Sequence, residues 1–182
     1  MFKGRILTTV GLIVLGGILG LGLAGFSASM IEKTNRNKFC VSCHEMTWPQ
    51  ATYQTQPHFN SRSGVRPGCS NCHVPHHPWY KMMIVKASQG TRDIWLHLNG
   101  KLDTEEKYQA HRAELAERVW ARLKASDSDT CRGCHIIEAM DPEKQSPAAA
   151  LMHARAREGN ITCIECHKGI GHGDRHEGAS GG

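Results

Sequence analysis

Several things the chain has little of narrow the reading before any motif is considered. Aromatic residues are only 6% of the sequence, which argues against an interior built mainly from packed rings. No stretch alternates apolar and polar residues for long enough to read as a β-strand, so a sheet protein is excluded. No block of like charge occurs. The net charge of +5 is spread through the chain and reads as solvated surface and partners for acidic groups, not as a basic stripe for nucleic acid. No cysteine stands outside a single repeated pattern.

That pattern uses all eight cysteines: Cys40-Val-Ser-Cys43-His44, Cys69-Ser-Asn-Cys72-His73, Cys131-Arg-Gly-Cys134-His135 and Cys163-Ile-Glu-Cys166-His167. A disulfide framework accounts for an even number of thiols but gives no reason for a histidine after every second one. Zinc ribbons also use C-x-x-C pairs, yet four further histidines at one fixed offset exceed what tetrahedral sites need. Covalent haem accounts for both features. Two thiols add to the two vinyl groups of the porphyrin, and the adjacent histidine falls beneath the ring to ligate iron. The pattern therefore predicts four haem c groups, held by Cys40, Cys43, Cys69, Cys72, Cys131, Cys134, Cys163 and Cys166.

Residues 6–26 are uncharged and, as a helix, long enough to cross a hydrocarbon core of about 30 Å. Lys3 and Arg5 precede the run and orient its N-terminus to the cytoplasm, sending the remainder across the membrane. The competing reading is a cleaved signal peptide, for which Ser27-Ala28-Ser29 offers small residues; the apolar run exceeds the usual signal core, which favours a retained anchor. Gly16 and Gly20 form a G-x-x-x-G step that permits a homodimer through the bilayer, though glycine is abundant throughout the segment.

The motifs begin at 40, 69, 131 and 163, two close pairs with a longer insert between them. His58 precedes Cys69 and His76 follows His73; His153 precedes Cys163 at nearly the same distance and His172 follows His167. This reads as a duplicated dihaem unit. Residues 104–125 predict a helix capped by Asp103 with Glu106 reaching back, and Tyr108, Leu115, Val119 and Leu123 on one face. Residues 147–158 predict another, with Ser146 as cap, Pro147 in the first turn and Gly159 as the stop. A third runs over roughly 79–98, weakened by Gly90. The expected fold is mainly α with much irregular loop: an N-terminal transmembrane helix and a multihaem c-type cytochrome domain organised around four haems. Its parts are an anchor over 1–30, a tetrahaem domain over 31–176 with repeats at about 37–100 and 127–176 joined by the 104–125 helix, and a disordered tail over 177–182.

Four irons have eight axial positions. The motif histidines His44, His73, His135 and His167 fill at most four, and His58, His76, His153 and His172 supply the rest. Met46 is then a surplus donor. Either it binds the first iron, displacing a histidine or leaving one face open, or it packs on the porphyrin as methionine readily does. His97, His111 and His176 read as surface residues.

The stretches "FCVSCHEM", "NSRSGVRPGCSNCHVPH", "ERVWARLKASDSDTCRGCH", "MDPEKQSPAAALMHARA" and "TCIECHKGIGH" resemble the NapC/NirT family of membrane-anchored tetrahaem quinol dehydrogenases across nearly the whole chain. The resemblance implies a single-pass protein of the bacterial inner membrane, its haem domain in the periplasm, that oxidises membrane quinol and passes electrons to a periplasmic reductase. Nitrate reductase is the family's commonest partner; nitrite and sulfoxide or amine-oxide reductases are served by similar chains. His58, His76, His153 and His172 match the distal ligands proposed in one branch. Met46 matches the methionine that ligates the first haem in another, which frees His44 from its usual role. Lys86 and Asp93 match the pair lining that branch's quinol pocket, Asp93 as proton acceptor and Lys86 as the group that orients the quinol hydroxyl. Other readings are an electron carrier without quinol chemistry, a haem-based gas sensor, for which no output domain is recognisable, and a reductase, which bis-ligated irons disfavour.

Overall fold

The computed structural model describes residues 2–159 and 161–173. The expected tail over 177–182 and His176 lie outside them. The described residues are mainly helical and contain no strand.

Helix α1 spans Phe2–Asn35, and no charge interrupts it between Arg5 and Glu32. Its apolar side chains are exposed along its length, Leu7 and Leu21 among them, and an 18-residue stretch of it reaches a mean hydropathy of 2.3, which suits a membrane span. The helix passes unbroken through Ser27-Ala28-Ser29 and continues beyond residue 30, so the anchor and a short stalk are one rigid element. Asn35 joins the stalk to the rest: its carbonyl accepts from Ser70 Oγ at 2.8 Å and its Oδ1 from Lys86 Nζ at 2.7 Å.

Beyond α1, every motif supplies a short helix or turn. Helix α2 (Asn37–Cys40) opens the first, and a 3-10 turn over His44–Met46 leads into α3 (Thr47–Gln54). The second motif is α4 (Cys69–His73), the third begins in α7 (Asp129–Arg132), and the fourth opens in α9 (Cys163–Cys166). Three longer helices carry them: α5 (Trp79–Leu98), α6 (Glu105–Ala125) and α8 (Pro147–Arg157). Gly90 does not interrupt α5. In α8 the expected signals operate as read, with Ser146 Oγ accepting from Ala149 N at 3.2 Å and Gly159 in the left-handed region at φ 79°. The cap of α6 is a correction. Thr104, not Asp103, accepts from Lys107 N, at 3.3 Å, while the Asp103 carboxylate turns to Lys107 Nζ at 2.6 Å. Thr104 offers the same short oxygen one residue later, which leaves Asp103 free to pair with a lysine one turn on.

The polypeptide buries little of itself. The buried apolar residues are Met82, Tyr108, Leu123, Ile137, Ala156 and Ile164. A folded chain of 20.1 kDa exposes about 9,000 Å² by the usual surface scaling; this one exposes 13109 Å². The projecting anchor accounts for part of the excess. The rest belongs to the domain, where few side chains are buried against one another.

Candidate functional site

The cysteine motifs are ordered in space as they are in sequence. Asn37 Oδ1 accepts from Cys69 N at 2.8 Å, and a side chain at Gly68 would meet that oxygen at 2.6 Å, so glycine before Cys69 lets the second motif close on the first. The thiols of Cys40 and Cys69 are hydrogen-bonded, which raises Cys40 and brings Cys69 down to about 7. Burial, then the nearby Cys131 and Cys134, raise Cys72, and Thr130 Oγ1 donates to the Cys72 carbonyl at 3.1 Å. Burial and Cys163 raise Cys131. The junction of the last two motifs is fixed by Asp127 and Ser128, both left-handed at φ 51° and 53°. That turn buries Ser128 completely and lets its Oγ accept from Ile164 N at 3.2 Å.

None of the eight thiols is in a disulfide. Among the described residues the one convergent group of potential metal ligands is His44, Glu45 and His97, which contains no cysteine.

Three motif histidines each face a second histidine. The ring centres of His73 and His172 lie 6.0 Å apart, those of His135 and His58 6.0 Å, and those of His167 and His153 6.2 Å. Two imidazoles bound to one metal at about 2 Å on opposite sides have their centres about 6 Å apart. The donor set and spacing therefore fit haem iron between each pair. The outer nitrogens reinforce this. His172 Nδ1 meets the Pro49 carbonyl at 3.0 Å, His153 Nδ1 meets Gln145 Oε1 at 2.6 Å, and His58 Nδ1 meets the Ile170 carbonyl at 3.5 Å. Each acceptor holds the proton on Nδ1 and leaves Nε2 with its lone pair, the second-shell arrangement of a ligating histidine. Burial, the charge of His172 and that of Arg122 push His73 down to about 4, which keeps it neutral; burial lowers His172 as well. A groove beside His73 and Cys72 is lined by Lys81 and Arg122, cations suited to acidic groups of a bound porphyrin.

Two of these pairs cross the sequence repeat. His58, from the first half, faces His135 of the second, and His172, from the second, faces His73 of the first. Only His153 and His167 pair within one half.

The first motif differs. His44 Nε2 meets the Asp103 carbonyl at 3.1 Å, so that nitrogen is already turned to a protein oxygen, while its Nδ1 lies 3.4 Å from Glu45 Oε2 without a hydrogen bond. The other Glu45 oxygen is bonded to His97 Nδ1, and the His44 and His97 rings are 5.9 Å apart. Burial would raise Glu45, but the His97 bond, backbone donors and the two imidazoles outweigh it and hold the carboxyl below its ordinary range. His97 is exposed, as its sequence suggested, and also joins this cluster; nothing local in the sequence links residues 45 and 97. Met46 ends the adjoining turn and is 38% exposed. His76 is exposed and faces no other ring.

Lys86 and Asp93 lie on α5, seven residues or about 10 Å apart along the axis. Lys86 is half-buried against Asn35; burial lowers it, with Cys40 opposing. Burial raises Asp93, against the pull of Arg92 and Arg122. An acid held above its usual range and a lysine held below it are the directions a proton-transfer site calls for.

A membrane-spanning helix, four thiol pairs in series and imidazoles facing one another define a membrane-anchored c-type cytochrome built for electron transfer. The chain belongs to the NapC/NirT cytochrome c family, whose N-terminal region it matches over residues 3–177. It is 42% identical to the denitrification system component NirT of Stutzerimonas stutzeri, covering 89% of this chain and 80% of that protein. To the cytochrome c-type protein NapC of Escherichia coli it is 42% identical, over 86% and 76% of the two chains. To the cytochrome c-type protein TorY of Haemophilus influenzae it is 44% identical over 85% of its own length but spans only 41% of that protein. No solved structure matches.

Proposed function

We propose that the protein is a quinol dehydrogenase of the bacterial inner membrane, taking electrons from membrane quinol on the periplasmic side and passing them to a periplasmic reductase, nitrate reductase first among the partners the family resemblance implies. The observation that carries this reading is the bond from Lys86 Nζ to Asn35 Oδ1 at 2.7 Å. It ties together the end of the membrane helix, the helix bearing Asp93, and, through Lys86, the neighbourhood of Cys40.

Oxidation of a quinol releases two protons, so the site needs an acceptor within hydrogen-bond reach of the hydroxyl. Asp93 is assigned this role, since partial burial makes its carboxylate a stronger base than an ordinary aspartate. Lys86 orients the other end of the ring. The four haems, when bound, supply one-electron acceptors arranged in series. Their assigned holders are the eight motif cysteines, with His73 and His172, His135 and His58, and His167 and His153 as axial pairs. For the first haem the engagement of His44 Nε2 by the Asp103 carbonyl favours Met46 as the iron ligand.

The test is the full-length haem-loaded protein in detergent, mixed with a reduced quinol analogue. Asp93→Asn is expected to slow haem reduction by quinol by about 10²–10⁴-fold while reduction by dithionite is unchanged. Equal slowing by both reductants, or none by either, would instead support an electron carrier without its own quinol site.

A further inference from the structure

Helix α5 has a second face that neither the thiol motifs nor the Lys86 and Asp93 pair uses. At about 100° per residue, Trp79, Met83, Ile94, Tyr80, Leu98 and Trp95 fall within one arc of about 160°, and no Asp, Glu, Lys or Arg lies among them. Lys81 and Arg92 border the arc on one side, Lys86 and Asp93 on the other. All six side chains are exposed, Trp79 by 71%, Trp95 by 66% and Leu98 by 74%, while Met82, on the opposite side, is buried. An exposed apolar face of this length on a helix of 20 residues is far more than scattered surface hydrophobes.

The height of this face above the bilayer follows from α1. Residues 6–31 carry no charge, and at 1.5 Å each they run about 39 Å, enough for a hydrocarbon core of about 30 Å and part of the head-group layers that bring the bilayer to about 40–45 Å. Asn35 is one helical turn beyond, about 6 Å, at the level of the head groups. Lys86, in the middle of α5, is bonded to that residue. That bond ties the middle of α5 to the head-group level, and the aromatic ends of its apolar face have the amphipathic character of the interfacial belt.

We propose that α5 is an interfacial helix, its Trp79 to Leu98 face seated in the outer surface of the same bilayer that α1 crosses. The membrane then holds the domain at two places and fixes its rotation about the anchor. This inference rests on the anchor alone and does not depend on quinol chemistry.

The test places p-benzoylphenylalanine in the full-length haem-loaded protein at Tyr80 or Leu98, at Phe26 in α1 as positive control, and at Ala121 on α6 as negative control. Each protein is reconstituted in vesicles of phosphatidylethanolamine and phosphatidylglycerol, checked for an unchanged Soret band, irradiated and examined for phospholipid adducts by mass spectrometry. Positions 80 and 98 are expected to give adducts comparable to position 26, with none at 121. Adding Ile94→Glu to the position 80 protein should abolish its lipid adduct and leave that of position 26 unchanged. Adducts at 26 but none at 80 and 98, or adducts of 80 and 98 to another protein in native membranes, would overturn the proposal.

Discussion

The first thiol motif and the other three share a sequence pattern and differ in what surrounds the histidine. His73, His135 and His167 each look across about 6 Å at an imidazole whose outer nitrogen is held by an oxygen. His44 also looks across 5.9 Å at an imidazole whose Nδ1 is held by an oxygen, that of His97, but its own Nε2 is turned to the Asp103 carbonyl. The same five-residue pattern therefore stands in all four places, but the fold decides what reaches its histidine. The motif nearest the membrane is the one released from the common arrangement, and it is also the one beside Lys86.

The most damaging test of this contrast is to remove an outer histidine. His172→Ala or His58→Ala should abolish one low-spin bis-imidazole signal each in low-temperature magnetic spectra, and each should also loosen the joint between the two halves, since both pairs cross it. His44→Ala should leave all low-spin signals in place. Loss of such a signal in His44→Ala would put the first motif back with the others.

Next in size is Met46→Ala. Axial ligands command a range of about 0.8 V in haem potential, and replacing a thioether by water or imidazole at the first iron should lower that potential by on the order of 0.1 V. Redox titration monitored at the α band reads it. Unchanged potentials and spectra would leave Met46 as a packing residue and return His44, or His97 opposite it, as the ligand.

A smaller effect is expected from pH. Burial holds the Asp93 carboxyl above its ordinary range, so its base form is lost as pH falls through that raised value. Quinol oxidation should decline on the acid side there, and the decline should be absent from the residual rate of Asp93→Asn. The stability sign is opposite: an acid whose folded value is raised costs the fold stability at high pH and ceases to do so once protonated. Unfolding followed against pH in both proteins separates the two effects.

Much of this architecture is legible in the amino-acid chain itself. The motifs are covalent chemistry in five residues each, α8 announces its ends with Ser146, Pro147 and Gly159, and α1 is a hydropathy pattern; all are local signals. What the chain does not reveal is non-local. The matched spacing of His58 and His153 suggests two self-contained units, yet His58 reaches across to His135 because pairing is settled by how α4 and α7 pack, not by distance along the chain. Glu45 and His97 are separated by 52 residues, and neither carries a flanking pattern. Asp103 is by composition the stronger cap of the two, yet Thr104 is the one used, because the Asp103 carboxylate is drawn to Lys107.

The finest test concerns the joint between the third and fourth motifs, where the contrast is one of construction. The first two motifs meet through a half-buried side chain, Asn37, and the last two through a fully buried one, Ser128. A buried N–H left without its acceptor costs about 1–3 kcal/mol, so Ser128→Ala should destabilise the haem-loaded protein by that amount in denaturant unfolding. Asp127→Gly should not, because the same left-handed turn is then made by a residue with no steric cost for it. If both substitutions were neutral, the turn would be a consequence of α7 and α9 docking on bound porphyrin. If only Ser128→Ala destabilises, the polypeptide itself sets the separation of the last two haems, and the end of the chain remote from the membrane is the stiffer one.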